Sequence, residues 1–414
     1  MRVVVLGAGL LGVTAAYYLQ QLGHEVIVVD RHATPAAKAR GRVLQDAPGT
    51  AASLSAAIPA RSGVLGRMSR VREAVRRQMG KLIDRVIGAP AVDPRDYLVR
   101  LAAYSRQSAR ALGDEAGLSQ GGRTSAGQMN VYTDTADFND RVARDLRWQA
   151  LGCEEQLISP DEAIRMEPAL HPIHDELAGA TYSSEDPARD PSQFAASIVF
   201  LCRAAGVRFL TRHTVVSLKE RDGRIHHVEA LDANGQSVRL RGQAYVLALG
   251  ASSVPHAEEL GIHMPLHFVR EYIVTMPILD TARAPRIALR DRQGKLRITR
   301  VGSPTGDFLR ISHTVRMNND EQSEPDSDHF EAMLRRVRQI LPGAADPSRA
   351  SLDTAVHAVS RDRLPLIGKT RVPNLFLNAA PGTPTWVNAI GAGKSIARIV
   401  TGLRPEVDIA FKPL

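Results

Sequence analysis

The sequence predicts an α/β fold: a Rossmann-like dinucleotide-binding domain interrupted by an inserted domain built on a mixed or antiparallel sheet. Three observations lead there. The opening run "MRVVVLGAGLLGVTAAYYLQQLGHEVIVVDRH" reads as strand, glycine turn, helix, strand. A second apolar strand, within "AYVLALGASS", ends in a tight glycine exit at Gly250. Between Pro265 and Met317, the stretches "PLHFVREYIVTMPI", "PRIALRD", "LRITRVG" and "DFLRISHTVRM" alternate apolar and polar residues with the two-residue period of strands.

The opening run carries the most chemistry. Arg2 to Leu6 is rich in β-branched residues and reads as a buried parallel strand. Leu10 to Leu22 places apolar residues at helical spacing and stops at Gly23, and Val26 to Val29 forms the next strand. In this context Gly7 permits the tight turn, Gly9 lets the backbone approach a pyrophosphate, and Gly12 lets helix and sheet pack closely. The phosphates sit on the helix N-terminus, where unpaired N–H groups point outward. Asp30, ending the second strand, is placed to accept hydrogen bonds from a ribose diol. The motif alone does not separate NAD from FAD, and a glycine packing turn in a nucleotide-free α/β domain is the alternative.

Further along, Ile58 to Ile87 is a basic amphipathic stretch with two readings: docking on an anionic membrane surface, or covering the protein's own core. Residues 93 to 118 read as a long helix, followed by a turn and a strand. Two capped helices come next, with Thr135 or Asp137 and Ser159 as N-caps. A helix spans about Pro191 to Ala205, and Asp222-Gly223 and Asn234-Gly235 mark the turns of a small meander. In the inserted sheet, an exposed face is expected to carry Tyr272, Arg300, Arg310 and His313. A last helix runs from about Trp386 or Ala392 to Val400, its N-terminus turned toward a loop and suited to partial negative charge. These elements divide into a nucleotide-binding domain over 1–92, 150–255 and 350–414, and a substrate domain over 93–149 and 256–349.

Bulk properties narrow the function classes. The 414 residues are 44% hydrophobic, enough for a substantial core, with a formal charge of +9. No nucleic-acid motif accompanies that charge, so it reads as a surface property and not as a nucleic-acid footprint. Two cysteines, Cys153 and Cys202, lack CxxC spacing, and no metal-ligand cluster is evident. The apolar N-terminus is broken by glycines and is not a secretion signal, and no stretch is long enough to span a bilayer. A cytoplasmic protein is expected, with peripheral contact at the inner membrane face as the further reading that the basic stretch allows.

Taken together, "VVVLGAGLLGVTAAYYLQQLGHEVIVVDR", "VRLAAYSR", "YVLALGASSVP", "LGIHMPLHFVREYIVT" and "LPLIGKTRVPNLFLNAAPGTPTWVNAIGAGKSIARIVTGLRPEVD" resemble the FAD-dependent D-amino-acid oxidase-like superfamily, and within it the D-amino-acid dehydrogenases. The likeness runs in order through almost the whole chain. It implies FAD as cofactor, with Gly7, Ala8, Gly9, Leu11 and Gly12 at the pyrophosphate, and Asp30 and Arg31 at the adenosine ribose. It implies Val215 near adenine, Gly250 on the diphosphate side, and Gly382, Thr383, Pro384 and Trp386 bordering the flavin. It also implies oxidation of the C–N bond of a D-amino acid or related secondary amine to an imine and 2-oxo acid. Electrons then pass to a quinone or another carrier, with an electron-acceptor protein or quinone and a hetero-oligomer as the candidate partners. Tyr272, Arg310 and His357 are the residues expected to meet the substrate.

Three places depart from the family pattern. "AKARGRVLQDAPG" stands where members usually carry a Ser and an Asn-Ala-Gly run. His357 stands where a Gly-Leu-Arg-Pro segment usually supplies an arginine for the substrate carboxylate. Ala380-Pro381-Gly382-Thr383 replaces Gly-His-Gly-Thr. An oxygen-using amine oxidase, and a catalytically altered flavoprotein-fold subunit acting as partner or scaffold, are the other readings these residues allow.

Overall fold

Val3-Val4-Val5-Leu6 is apolar on both sides of the chain, and such a run is stable only where both faces of a sheet are covered. In the computed structural model it is β1 (Arg2–Leu6), at the interior of a six-stranded sheet. The structure describes residues 1–35, 94–116, 127–184, 191–303, 306–317, 327–360, 364–379 and 385–407. The expected basic amphipathic stretch at 58–87 and the "AKARGRVLQDAPG" segment lie outside these residues.

From β1 the chain enters α1 (Leu10–Gln21), turns at Gly23 (φ +79°) and returns as β2 (Glu25–Val29), parallel to β1. The long helix α2 (Pro94–Ala116) buries Leu101 and Leu112 in the same core as Val13 of α1. There follow β3 (Gln128–Tyr132), α3 (Thr135–Ala143), α4 (Asp145–Ala150), β4 (Gln156–Ile158), α5 (Pro160–Met166) and β5 (Gly179–Ser183). The cap of α3 is Asp134, whose carboxylate accepts the Asp137 amide at 2.8 Å, and not Thr135 or Asp137. Ser159 caps α5 as expected, and Glu162 reciprocates to complete a capping box.

Next come α6 (Pro191–Ala204), β6 (Arg208–Leu210), the meander β7 (Thr214–Arg221), β8 (Arg224–Leu231) and β9 (Ser237–Leu240), then β10 (Ala244–Leu247) and α7 (Ser253–Glu259). Asp222 and Gly223 turn the first hairpin of the meander with φ of 55° and 74°. The remaining elements are β11 (Leu266–Pro277), β12 (Ala288–Asp291), β13 (Leu296–Ser303), β14 (Gly306–Arg316), α8 (Ser327–Ile340), β15 (Ser351–Ser360), β16 (Leu366–Lys369), β17 (Leu375–Ala379) and α9 (Thr385–Val400).

The six-stranded sheet has the order β16-β17-β10-β1-β2-β6. Its pairs are parallel except β16 with β17. Helices α1, α2, α6 and α9 cover one face, and the meander with α7 covers the other. The second sheet runs β15-β11-β14-β13-β12-β3-β5-β4, antiparallel except between β12 and β3. One face packs on α8 through Met333, Leu334, Val337 and Ile340.

Sheet membership does not follow the expected domain limits. β4 and β5, expected with the nucleotide-binding part, hydrogen-bond into the eight-stranded sheet, as does β15. Helix α2, expected with the inserted part, packs on the six-stranded sheet because its apolar stripe matches α1 and α9. Among the described residues, no helix is long and apolar enough to cross a membrane.

Candidate functional site

The parallel strands β1, β2, β10 and β17 all open at one edge of the six-stranded sheet, where α/β folds place ligands. Gly7 follows β1 with φ +104°, a conformation that excludes a side chain. A Cβ at Gly12 would collide with the Gly7 carbonyl, so turn and helix touch only because both positions are glycine. Gly9 faces open space: a Cβ there meets nothing within 4 Å. It is the N-cap of α1 but offers no side-chain acceptor, and the first turn carries no acid. The leading amides of α1 therefore point outward without a partner from their own helix.

Asp30 locks this turn. One carboxylate oxygen accepts the Ala8 amide at 2.7 Å and the other accepts the His32 amide at 2.7 Å. Each oxygen retains a lone pair for a ribose hydroxyl. The next strand runs alongside, since the Asp30 carbonyl accepts from the His213 amide at 2.9 Å, and this brings half-buried Val215 to the same side. Arg31 is exposed at the turn. Gly250, with φ +64° and open space at its Cβ position, follows β10 beside Gly7, whose own Cβ position is closed by Ala248 and Leu249.

The start of α9 is fixed against the start of α1. Thr14 Oγ1 donates to the Ala389 carbonyl at 3.0 Å, and a Cβ at Gly393 would meet that threonine at 2.6 Å. From the other side, the Gly391 amide donates to Ser105 Oγ of α2 at 2.8 Å. Asn378, fully buried at the end of β17, donates to the Leu11 carbonyl at 3.0 Å while its Oδ1 has no hydrogen-bond partner. An open cradle of glycines, outward amides, a fixed carboxylate and a buried unsatisfied oxygen fit a dinucleotide. Gly382, Thr383 and Pro384 lie outside the described residues. Trp386 lies in the first turn of α9, but its side chain is not among the described ones.

The eight-stranded sheet supplies the second part of the site, and its pleat corrects the sequence reading. Tyr272, Arg300, Arg310 and His313 do not share a face. Tyr272 is 3% exposed and stacks on His329 of α8 with ring centroids 5.5 Å apart, while His313 lies opposite it on the same helix-covered side. Arg300 also lies on that side, in register with Leu309, and pairs with Asp307. Arg310, opposite Thr275, points the other way. Alternation along a strand makes this separation unavoidable once register is set.

The face away from α8 carries Glu271 on β11, Arg316, Ser312 and Arg310 on β14, Arg297 on β13, Arg290 on β12, and Asp353 and His357 on β15. His357 Nε2 donates to Glu271 Oε2 at 3.0 Å. Burial pushes the Glu271 carboxyl up, but the hydrogen bonds from His357 and Ser312 and the Arg297 charge outweigh it, holding the group below the usual carboxylate range. β15 touches the Gly250–Ser252 turn, and Leu266, which pairs with Ser360, packs against the core of the six-stranded sheet, so the His357 end of the face is the end nearer that sheet. His357 pairs with Val269 and Arg310 with Thr275, which puts them about 20 Å apart along β11. One small substrate cannot span that distance. The sequence reading does not single out Glu271; an acid inside the apolar strand "VREYIVT" is the signal that marks it.

Comparison with known proteins agrees with this geometry. The family of FAD dependent oxidoreductases, DAO, matches residues 2–399. The D-amino acid dehydrogenase of Dechloromonas aromatica (strain RCB) is 30% identical, covering 99% of each chain. That of Rhizorhabdus wittichii is 32% identical over 99% of this chain and 98% of its own. Among solved structures, glycine oxidase from Geobacillus kaustophilus superposes with a TM-score of 0.71 at 18% identity, covering 99% of this chain and 97% of its own. L-proline dehydrogenase from P. horikoshii gives 0.71 at 16% identity, covering 98% and 95%. At those identities the structures speak to the fold alone. With the family matched almost end to end and a cradle that fits the dinucleotide, the chain belongs to the FAD-dependent oxidoreductases of the DAO family, and its cofactor is FAD.

Proposed function

We infer that this oxidoreductase acts on the C–N bond of a D-amino acid or a related secondary amine, and that a quinone or another carrier takes the electrons onward. The observation that carries the reading is similarity over 98–99% of both chains to proteins named D-amino acid dehydrogenase. FAD, when bound, supplies the two-electron acceptor for loss of hydride from the substrate carbon, and water hydrolyses the resulting imine to a 2-oxo acid and ammonia. The chain's own residues bind and orient. The first amides of α1 hold the pyrophosphate, Asp30 fixes the turn and receives the ribose, and the N-terminal end of α9 favours negative charge at the same edge. On the sheet face, Arg316 brings the planar fork that matches a substrate carboxylate.

The test is spectroscopic. Purified protein should be yellow, and the flavin band should bleach anaerobically on addition of a D-amino acid or a cyclic imino acid. A protein that binds FAD but is bleached by neither class would sink the assignment. Release of peroxide in air, stoichiometric with turnover, would replace the carrier by oxygen.

A further inference from the structure

On the face that points away from α8, charge is segregated by strand. The arginines Arg316, Arg310, Arg297 and Arg290 stand on β14, β13 and β12. The carboxylates Glu271 and Asp353 stand on the neighbouring pair β11 and β15. Glu271 is the carboxylate nearer the six-stranded sheet: Val269, two residues before it, pairs with His357 toward the Leu266–Ser360 end, where Leu266 packs against that sheet's core. Its side chain is 23% exposed, so it is sheltered but reachable, and its neighbour His357 is 51% exposed.

The pairing has a chemical consequence. His357 stands at the position where the family likeness implies a cation for the substrate carboxylate, yet its Nε2–H is directed at the protein's own carboxylate. An imidazole is charged only when protonated, whereas a guanidinium is charged always. A carboxylate beside it therefore offsets whatever positive charge the imidazole brings, so the permanent positive charge acting on Glu271 comes from Arg297 on β13 and not from β11 or β15. On β11 and β15 an anionic group meets the Glu271 carboxylate, whereas a cationic group meets an acceptor and a displaceable imidazole.

Resting on the reading of this face as the substrate side, we propose that Glu271 is a specificity-determining residue. It makes the β11–β15 edge a cation-accepting subsite, so the enzyme prefers amines whose side chain bears a guanidinium or ammonium over those with an anionic side chain. Arg316 on β14, opposite Val269, then takes the carboxylate end of the same substrate.

The experiment uses a pair of unreactive probes that share a carboxylate for the arginine end and differ in the para group, 4-amidinobenzoate and terephthalate, on the FAD-loaded full chain. Thermal stabilisation and the visible flavin band are followed for wild type, Glu271→Gln and His357→Gln. 4-Amidinobenzoate should bind wild type at least tenfold more tightly than terephthalate. Glu271→Gln should abolish or invert that preference, and His357→Gln should keep or strengthen it by leaving the carboxylate unshared. Equal or tighter terephthalate binding by wild type overturns the proposal, as does a preference that survives Glu271→Gln. If the preference follows Glu271 in the thermal shifts while the flavin band does not move, the cation subsite stands and the assignment of this face to the substrate falls. A matching readout is the kcat/KM ratio of D-arginine to D-glutamate, which should drop at least tenfold in Glu271→Gln.

Discussion

Single residues set what the cradle can hold. Gly12→Ala places a methyl against the Gly7 carbonyl and should leave purified protein with less than a tenth of the wild-type flavin, read from the ratio of visible to ultraviolet absorbance. Glu167 does a different task far from the cradle. Only 1% exposed, its carboxylate accepts the Arg286 and Ile287 amides at 2.7 Å and the Ala169 amide at 3.3 Å. Burial pushes its carboxyl above the ordinary value despite those donors. Glu167→Ala orphans buried amides and should cost about 3 kcal/mol in denaturant unfolding, with the flavin spectrum unchanged. Cys202 is buried, with its thiol pushed up to about 12 by desolvation. It should resist thiol reagents at pH 8 until the protein is unfolded.

Elements succeed or fail through their ends and seams. Ser159 and Glu162 close the N-terminus of α5, and the hydrogen bonds from Ser159 hold the exposed Glu162 carboxyl below its ordinary value. A depressed carboxylate stabilises the fold above its unfolded-state value and loses that contribution as pH falls through the folded one. The melting-temperature gap between wild type and Glu162→Gln should therefore be full at neutral pH and close below about pH 4. The seam between α1 and α9 depends on Gly393 facing Thr14. Gly393→Ala should push the two helices apart at a cost of about 1–3 kcal/mol, and weaken FAD retention because both helix starts border the cradle. Most of these elements were legible from the chain. Apolar runs, glycine stops and the Ser159 cap are local signals. The side to which Tyr272 points was not, because its partner ring, His329, arrives on α8 from far along the sequence. Asp134 was missed as a cap because Thr135 is equally eligible by type.

At the scale of the molecule, the six-stranded sheet could be read from the chain because its parallel strands are nearly all apolar. The eight-stranded sheet could be read only in part. Its members β3, β4 and β5 join β12 across more than a hundred residues, and no local pattern announces a parallel junction inside an antiparallel sheet. The cradle was visible for the same reason as the first sheet, whereas the charges on the second depend on register. Binding of FAD should also stabilise the whole unit. Protein stripped of flavin should melt lower and regain about 4 kcal/mol when free FAD exceeds its dissociation constant a thousandfold, an effect absent in Gly12→Ala.

The strands that bear Glu271 and His357 are both anchored beside the nucleotide edge, β15 through its contact with the Gly250–Ser252 turn and β11 through its pairing with β15. That anchoring separates two properties that selection acts on. On the reading proposed above, the distance from reacting carbon to flavin is a matter of backbone, shared by every variant of the face, and the choice of amine is a matter of a few side chains on fixed strands. A lineage that used the scaffold in this way could exchange one amine for another by changing positions 271 and 357 while its redox apparatus stayed as it was.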